Sequence, residues 1–460
     1  MAVQRTISPI DGSIYAEREL ADEATVAAAL QAAAEAQRAW REVALEERAR
    51  YCLAMVDAFV ARRETLAEEL TWQMGRPIAV AGGEIDGFAE RARTMIALAG
   101  EALAPIRLAD RPGVTRYITR EPLGVSFVVA PWNYPFLTAV NAIVPAIMAG
   151  NAVLLRHSAQ TPLCAERIQE AFEAAGLPPG VFQHLHLSHA ATERLIREGG
   201  IQHVAFTGSV AGGGMVERNA AGRFLASGLE LGGKDPAYAR ADVDLDEAVA
   251  GIMDGAFFNS GQSCCGIERV YVHRAILAPF VERAVAWVRQ LRLGNPTDPA
   301  TTLGPLVRPA AADFVRRQVE DAVAAGARAW IDPRDYPRSR PGSAYLAPQL
   351  LTEVDHRMRV MTEESFGPVV GIMPVDTDEE AIALMNDSDL GLTAAVFTRD
   401  IAAGEAIARR LAAGTVFTNR CDYLDPELAW TGVGRSGRGC SLSRLGYETL
   451  TRPKSFHLKH

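Results

Sequence analysis

Between residues 125 and 208 the sequence alternates short apolar runs with helical stretches. VSFVVA (125–130) precedes a helical stretch near 136–149, and NAVLLR (151–156) precedes another that starts at Thr161. FQHLHL (182–187) precedes a third near 190–198, and HVAFTG (203–208) closes the series. No other feature restricts the fold as strongly. Strands that are apolar at every position are buried on both faces, and strands separated by helices run parallel. The segment therefore predicts an α/β fold: a parallel sheet covered by helices on both sides. The runs lead into PWNYP, HSAQTP and TGSV. Ligands of open parallel sheets sit beyond the carboxyl ends of the strands, so a nucleotide or dinucleotide is expected at these loops.

The rhythm restarts after about residue 232. A helix near 244–258, a strand ERVYVHR (268–274) and a helix from Leu277 predict a second α/β domain. The chain before residue 125 reads as helical. Asp22 is placed to cap a helix bearing Val26, Leu30, Ala33 and Trp40, and a second helix is expected from about Leu45 to Met74, stopped by Gly75 and Pro77. FLTAVNAIVPAIMAGNAVLL (136–155) is apolar enough to suggest a membrane span. Its two asparagines, Pro145 and the Ala-Gly-Asn break favour a buried helix followed by a buried strand. A net charge of −9 without any basic run argues against nucleic acid or an anionic membrane as partner. The six cysteines form neither CxxC nor a zinc-type spacing, which predicts no metal and a reducing compartment, the cytoplasm. The opening MAVQRTISPIDG lacks the apolar core of a signal peptide.

Chemistry concentrates in a few short stretches. FFNSGQSCCG (257–266) sets Cys264 and Cys265 side by side behind turn-forming residues. A loop thiol near a helix end can have the lowered pKa that a nucleophile needs, whereas a buried cysteine is only a small hydrophobe. In LELGG (229–233), Glu230 lies between two leucines, and a strand would point it away from them. A partly buried carboxylate with a raised pKa can act as a general base. Asn133 of PWNYP could donate its amide to an oxyanion, or simply make a turn. Two phosphate-loop patterns fail on context. GLELGGK (228–234) has Asp235 where Ser or Thr is required, and too few residues follow GVGRSG (432–437) for a βαβ unit.

In content and order, PWNYP, FTGS (206–209), LELGGK, FFNSGQSC and EESFGPV (363–369) resemble the aldehyde dehydrogenase superfamily. AQRAWREVALEERARYCL and MGRP (74–77) extend the likeness, which runs from about Ile7 to Leu458. The resemblance implies a Rossmann-like dinucleotide-binding domain (1–113 and 129–231) and an α/β catalytic domain (232–432). It adds a return segment (433–447) and a small β oligomerisation arm (114–128 and 448–460) of a homodimer or homotetramer. It implies oxidation of an aldehyde to a carboxylic acid, with hydride passing to NAD or NADP. Cys264 would be the nucleophile, Glu230 the base that activates water, and Asn133 the oxyanion donor. Trp132, Arg156, Ser158, Gly208, Ser209, Glu364 and Phe366 would contact the cofactor. Tyr134, Leu137, Asn141, Ser263, Cys265 and Trp430 would line the substrate pocket.

Departures from the family pattern sharpen the expectations. Asn141 and Asp422 occupy positions where an arginine could grip a carboxylate, and Arg420 is the only cation the sequence places nearby. Aromatic or medium-chain aldehydes are therefore expected ahead of a succinate-semialdehyde-type substrate; a catalytically inactive relative with a binding role is a further alternative. Ala159 replaces a glutamate that favours NAD in many relatives, and Arg156 replaces a lysine, which tilts the expectation to NADP. Ala142 and Ser441 stand where many members carry the lysine and glutamate of a proton relay, leaving the proton's exit from Glu230 without a path.

Overall fold

The computed structural model describes residues 2–460. The alternating segment folds into a six-stranded sheet, ordered Gly437–Arg438, Ala226–Glu230, His203–Thr207, Val125–Ala130, Ala152–His157, Phe182–His184. All neighbours are parallel except the first pair. Val125–Ala130 and Ala152–His157 are buried at every residue. The chain steps from Val125–Ala130 to one side, then returns to His203–Thr207 on the other. That reversal opens a crevice at the carboxyl ends of the strands, where sheets of this type take ligands.

A second sheet runs Arg328–Ala329, Gln349–Thr352, Val369–Val375, Ile267–His273, Asp235–Ala239, Thr393–Phe397, Thr415–Thr418, parallel throughout except at the first pair. Glu230 ends a strand of the first sheet. Cys264 lies between helix Leu245–Phe257 and strand Ile267–His273 of the second. The apolar 136–155 stretch divides into helix Pro135–Met148 and strand Ala152–His157, and no helix among the described residues is long and apolar enough to cross a membrane.

Three expectations change. The helix expected over 45–74 is two, Leu45–Val60 and Arg63–Met74. The apolar face from Phe59 to Leu66 stays in phase across the break, so periodicity alone does not reveal it. Gly75, at φ +86°, ends the second helix, and a Cβ there would stand 2.8 Å from Pro305. The arm is shorter than expected. Val114–Pro122 pairs with Thr451–Lys459, while residues 125–128 belong to the parallel sheet, because VSFV is apolar on both faces. Finally, a hairpin (Val3–Ile7 with Ile14–Glu19) opens a region expected to be helical, and the helical character expected there continues past Pro77 as one 25-residue helix, Ile78–Ala102, for which no bounds were expected.

Candidate active site

The thiol pair sits on a rigid reverse turn. After helix Leu245–Phe257, Asn259, Ser260 and Gly261 take three successive left-handed conformations (φ +52°, +58°, +71°). Gly261 is required there, since a Cβ would collide with the Gly367 carbonyl. The Gln262 side chain accepts from Val307 N at 2.8 Å and Ser260 Oγ donates to Gly304 O at 3.0 Å, fixing the turn. Cys264 is half-buried and opens into a cavity of about 390 Å³. Cys265 shares that wall but is only 3% exposed, and its Sγ donates to Asp422 Oδ1 at 3.0 Å. Contact with Cys264, then burial, pushes the Cys265 thiol well above its usual range, so it stays protonated. Ser263, expected on the pocket wall, is instead turned away from it. It is buried, and its Oγ donates to Asp422 Oδ1 at 2.9 Å, behind the wall that Cys264 and Cys265 form.

Glu230 borders the same cavity as Cys264. Thr207 Oγ1 donates to its Oε2 at 3.1 Å and Ser441 Oγ donates to its Oε1 in a short contact. Burial raises the Glu230 pKa, and these two hydroxyls work against that rise. Its strand is clamped on the outer edge by Gly437–Arg438.

Below the turn lies a fully bonded ionic cluster. Arg76 is 2% exposed, pairs closely with Glu84, and donates to Asn259 Oδ1 at 3.1 Å and to the Asn133 carbonyl at 2.5 Å. Its guanidinium also lies 4.5 Å from the Tyr134 ring centroid. Glu84 Oε1 accepts from Phe136 N and Leu137 N at 2.9 and 3.1 Å, which caps helix Pro135–Met148. The Asn133 amide donates to Gln262 O at 3.2 Å. One of its two N–H groups thus braces the cysteine turn, leaving one for another acceptor.

Arg91, from helix Ile78–Ala102, lines the Cys264 cavity and is 8% exposed. Its Nη1 donates to Leu137 O at 2.8 Å and Asn141 Oδ1 at 3.3 Å. Among the described residues no carboxylate lies within 4.0 Å of it, and Glu84 is already taken by Arg76. Burial draws the Arg91 pKa downward, as expected of a cation without a full counter-ion. Arg420, by contrast, is exposed, stacks on Tyr423 at 3.5 Å and does not border the cavity.

On the opposite side, strand ends of the first sheet form a crevice. Ser209 caps helix Val210–Ala220, accepting from Gly212 N at 3.2 Å, so unpaired amides point outward at its N-terminus. Arg156 is 8% exposed and its buried Nε has no partner. Trp132 meets Phe366 edge-to-face, with centroids 5.6 Å apart. Glu364 accepts from Gly233 N at 3.2 Å; burial, then Glu268, pushes it up to about 8. Lys234 is no phosphate ligand: it is buried, 2.5 Å from Glu268 and 3.1 Å from Ser365 Oγ.

The Aldehyde dehydrogenase family profile matches residues 2–456. The chain belongs to the aldehyde dehydrogenase family. Succinate-semialdehyde dehydrogenase [NADP(+)] 1 of Mycobacterium tuberculosis (strain H37Rv) is 35% identical over 98% of both chains. Succinate semialdehyde dehydrogenase [NAD(P)+] Sad of Escherichia coli K12 is 34% identical over 96% of this chain and 95% of that one. Among solved structures, Gox0499 superposes with a TM-score of 0.95 at 31% identity over the full length of both chains. PnpE in complex with nicotinamide adenine dinucleotide superposes at 0.95 and 29%, over 100% of this chain and 94% of that one.

As an aldehyde dehydrogenase the protein is an NAD(P)-dependent oxidoreductase. Its crevice suits that cofactor: an orphaned buried guanidinium, a free helix N-terminus and a carboxyl with a single donor all await polar groups. Of the expected pocket residues, Tyr134, Leu137, Asn141, Cys265 and Trp430 line the Cys264 cavity. Two structural partners, Arg76 and Glu84, and the cavity cation Arg91 had no role in the sequence reading. Arg76 stands in the MGRP motif, the one signal available for it.

Proposed function

We propose that the enzyme oxidises a short aldehyde carrying a carboxylate at its far end, through a thioester on Cys264, and that it prefers NADP. The observation that carries the substrate reading is Arg91, a buried cation without a carboxylate partner in the wall of the cavity that also holds Cys264 and Glu230. Buried charges are costly unless paired, so a ligand carboxylate would complete this wall. The relatives whose names specify succinate semialdehyde support the same reading. Asp422 also faces the cavity, but its Oδ1 is already taken up by Ser263 Oγ and Cys265 Sγ.

The Cys264 thiolate adds to the aldehyde carbon. The developing oxyanion is met by the remaining N–H of Asn133 and the backbone N–H of Cys264; one such donor is worth about 3–4 kcal/mol. Trp132, Phe366 and Glu364 would hold the nicotinamide, which would supply the hydride acceptor. Glu230 then takes a proton from the water that hydrolyses the thioester. Arg156 and Ser158 would hold the adenosine ribose, with Gly208 and Ser209 at the pyrophosphate. Ala159 offers no carboxylate to repel a 2′-phosphate, and Arg156 has donors to receive one. The division into cofactor, catalytic and arm regions belongs to this reading. So does a homo-oligomer, since an arm of two nine-residue strands with one short third strand is marginal alone.

Comparing kcat/KM for succinic semialdehyde, hexanal and benzaldehyde tests the substrate class, with succinic semialdehyde expected to lead. Should benzaldehyde or hexanal lead, the second reading holds, an aromatic or medium-chain substrate packed against Tyr134, Leu137 and Trp430. Cys264→Ser is expected to abolish oxidation with every aldehyde, while Cys265→Ala retains a good part of the rate.

A further inference from the structure

Behind Glu230 lies a second, smaller chamber of about 40 Å³, which Cys264 does not border. Thr207, Glu230 and Asn141 stand in the walls of both spaces, so the carboxylate sits at the partition. The chamber is lined further by Ala142, His203 and Ser441, and it ends at Arg438 and Gly439, both exposed. A water needs roughly 10–15 Å³ of such space, so there is room for about three.

Two buried polar atoms on these walls lack partners. His203 is 2% exposed; its Nδ1 bonds Ser126 Oγ at 2.7 Å, and its Nε2 has no partner. Asn141 Nδ2 is likewise unpartnered. The chamber walls are mostly apolar, but these two orphans, with Glu230, Thr207 and Ser441, give a water several polar partners. The space exists because Ala142 contributes only a methyl group at a helix position facing Glu230's strand. Ser441 contributes a hydroxyl, bonded directly to the carboxylate. Burial pulls the His203 pKa down to about 4, so this wall carries a neutral imidazole and holds no competing cation.

We propose that the proton collected by Glu230 leaves through this water chamber, with Ser441 as the positioning residue that holds the carboxylate at its mouth. The inference rests on the reading of Glu230 as the base. In hydrolysis the water oxygen bonds to the thioester carbonyl carbon and its proton passes to Glu230. The C–S bond breaks with its electron pair on Cys264, which returns as thiolate, and the carboxylic acid is released. Glu230 passes its proton to chamber water, and an equivalent proton emerges beside Arg438. A chain of hydroxyl and water thus takes the place of charged side chains at positions 142 and 441.

An activated ester, p-nitrophenyl acetate, acylates a cysteine without hydride transfer. Its nitrophenolate burst reports acylation and its steady phase reports deacylation, both in the native full chain. Ser441→Ala, and Ala142→Met, which fills the chamber, are expected to keep the burst and slow the steady phase about tenfold. Ser441→Ala removes a donor that favours the carboxylate, so the acid limb of the steady phase should move up by about one pH unit. Ser441→Thr, which keeps the hydroxyl, should bring the limb back. Unchanged steady phase and acid limb in both Ser441→Ala and Ala142→Met overturn the proposal. Glu230→Gln separates the two layers: burst without steady phase upholds the base assignment alone, whereas a retained steady phase removes both the base and the exit path.

Discussion

Arg76 and Arg91 flank the same cleft and are buried to nearly the same degree, yet their surroundings differ completely. Arg76 has a carboxylate, a side-chain amide and a backbone carbonyl as acceptors, and a tyrosine ring beside it. Arg91 has two neutral oxygens and a cavity. The first arrangement is closed. It ties the Asn133 turn to the Asn259 turn and needs nothing further. The second is open: no carboxylate among the described residues lies within 4.0 Å of it, and under the proposed function a substrate carboxylate supplies the partner. Equal burial therefore says little about role; the inventory of partners separates scaffold from binding wall.

The largest expected effect breaks the closed cluster. Arg76→Met leaves Glu84 buried without its cation, a loss of about 3–5 kcal/mol. It should appear as a large drop in melting temperature together with loss of activity toward every aldehyde. Arg91→Met should do the reverse: an unchanged or higher melting temperature, with kcat/KM for succinic semialdehyde down about ten- to a hundredfold and that for hexanal retained. If Arg91→Met destabilises the protein as much as Arg76→Met, or hits both aldehydes alike, the contrast fails.

The contrast extends to carboxyls. Glu84 accepts from Arg76 and two backbone amides, whereas Glu364 has a single backbone donor and a pKa pushed up to about 8. A carboxyl whose pKa is raised on folding is protonated in the native state while already ionised in the unfolded chain. Its contribution is present below the ordinary carboxylate range and is lost as pH rises through about 4.5 to 8. The slope is up to about 1.4 kcal/mol per pH unit. Denaturant melts across that window should show stability falling in the cofactor-free protein, and Glu364→Gln should flatten the fall. The smallest expected effect lies at the adenosine end. Arg156→Ala should weaken NADP about tenfold and leave NAD nearly unchanged, measured as Kd by fluorescence quenching. A persistent NADP preference in that variant would place the discrimination elsewhere.

What the sequence revealed follows from where the constraint is local. Strands buried on both faces leave continuous apolar runs, so the first sheet and the loops at its strand ends were legible. Cys264 and Glu230 are set by short-range turn and strand geometry, and their motifs were legible too. Arg91 was not. Its helix contains Gly82, Gly83, Gly87 and Gly100. Gly87 has a long-range reason to be there: a Cβ would stand 2.7 Å from Leu137, so the glycine lets Ile78–Ala102 lie close against Pro135–Met148. Close helix approach is a tertiary requirement without a sequence period, and it hid where the helix lies and which cavity its cation faces. The expectation of neutral substrates was formed without that cation, from Tyr134, Leu137, Trp430 and the absence of an arginine at positions 141 and 422.

The clasp on Glu230 has a bearing on how the enzyme is made. Its edge strand is completed by Gly437–Arg438 and its carboxylate by Ser441, 211 residues later in the chain. A ribosome adding about 5–20 residues per second needs roughly 10–40 s to pass from one to the other. During that interval Cys264 is synthesised, yet Glu230 is still without its outer strand and its serine. Under the proposed function, a ribosome that stalls before position 437 therefore yields a fragment that carries the thiol but not the completed setting of the base.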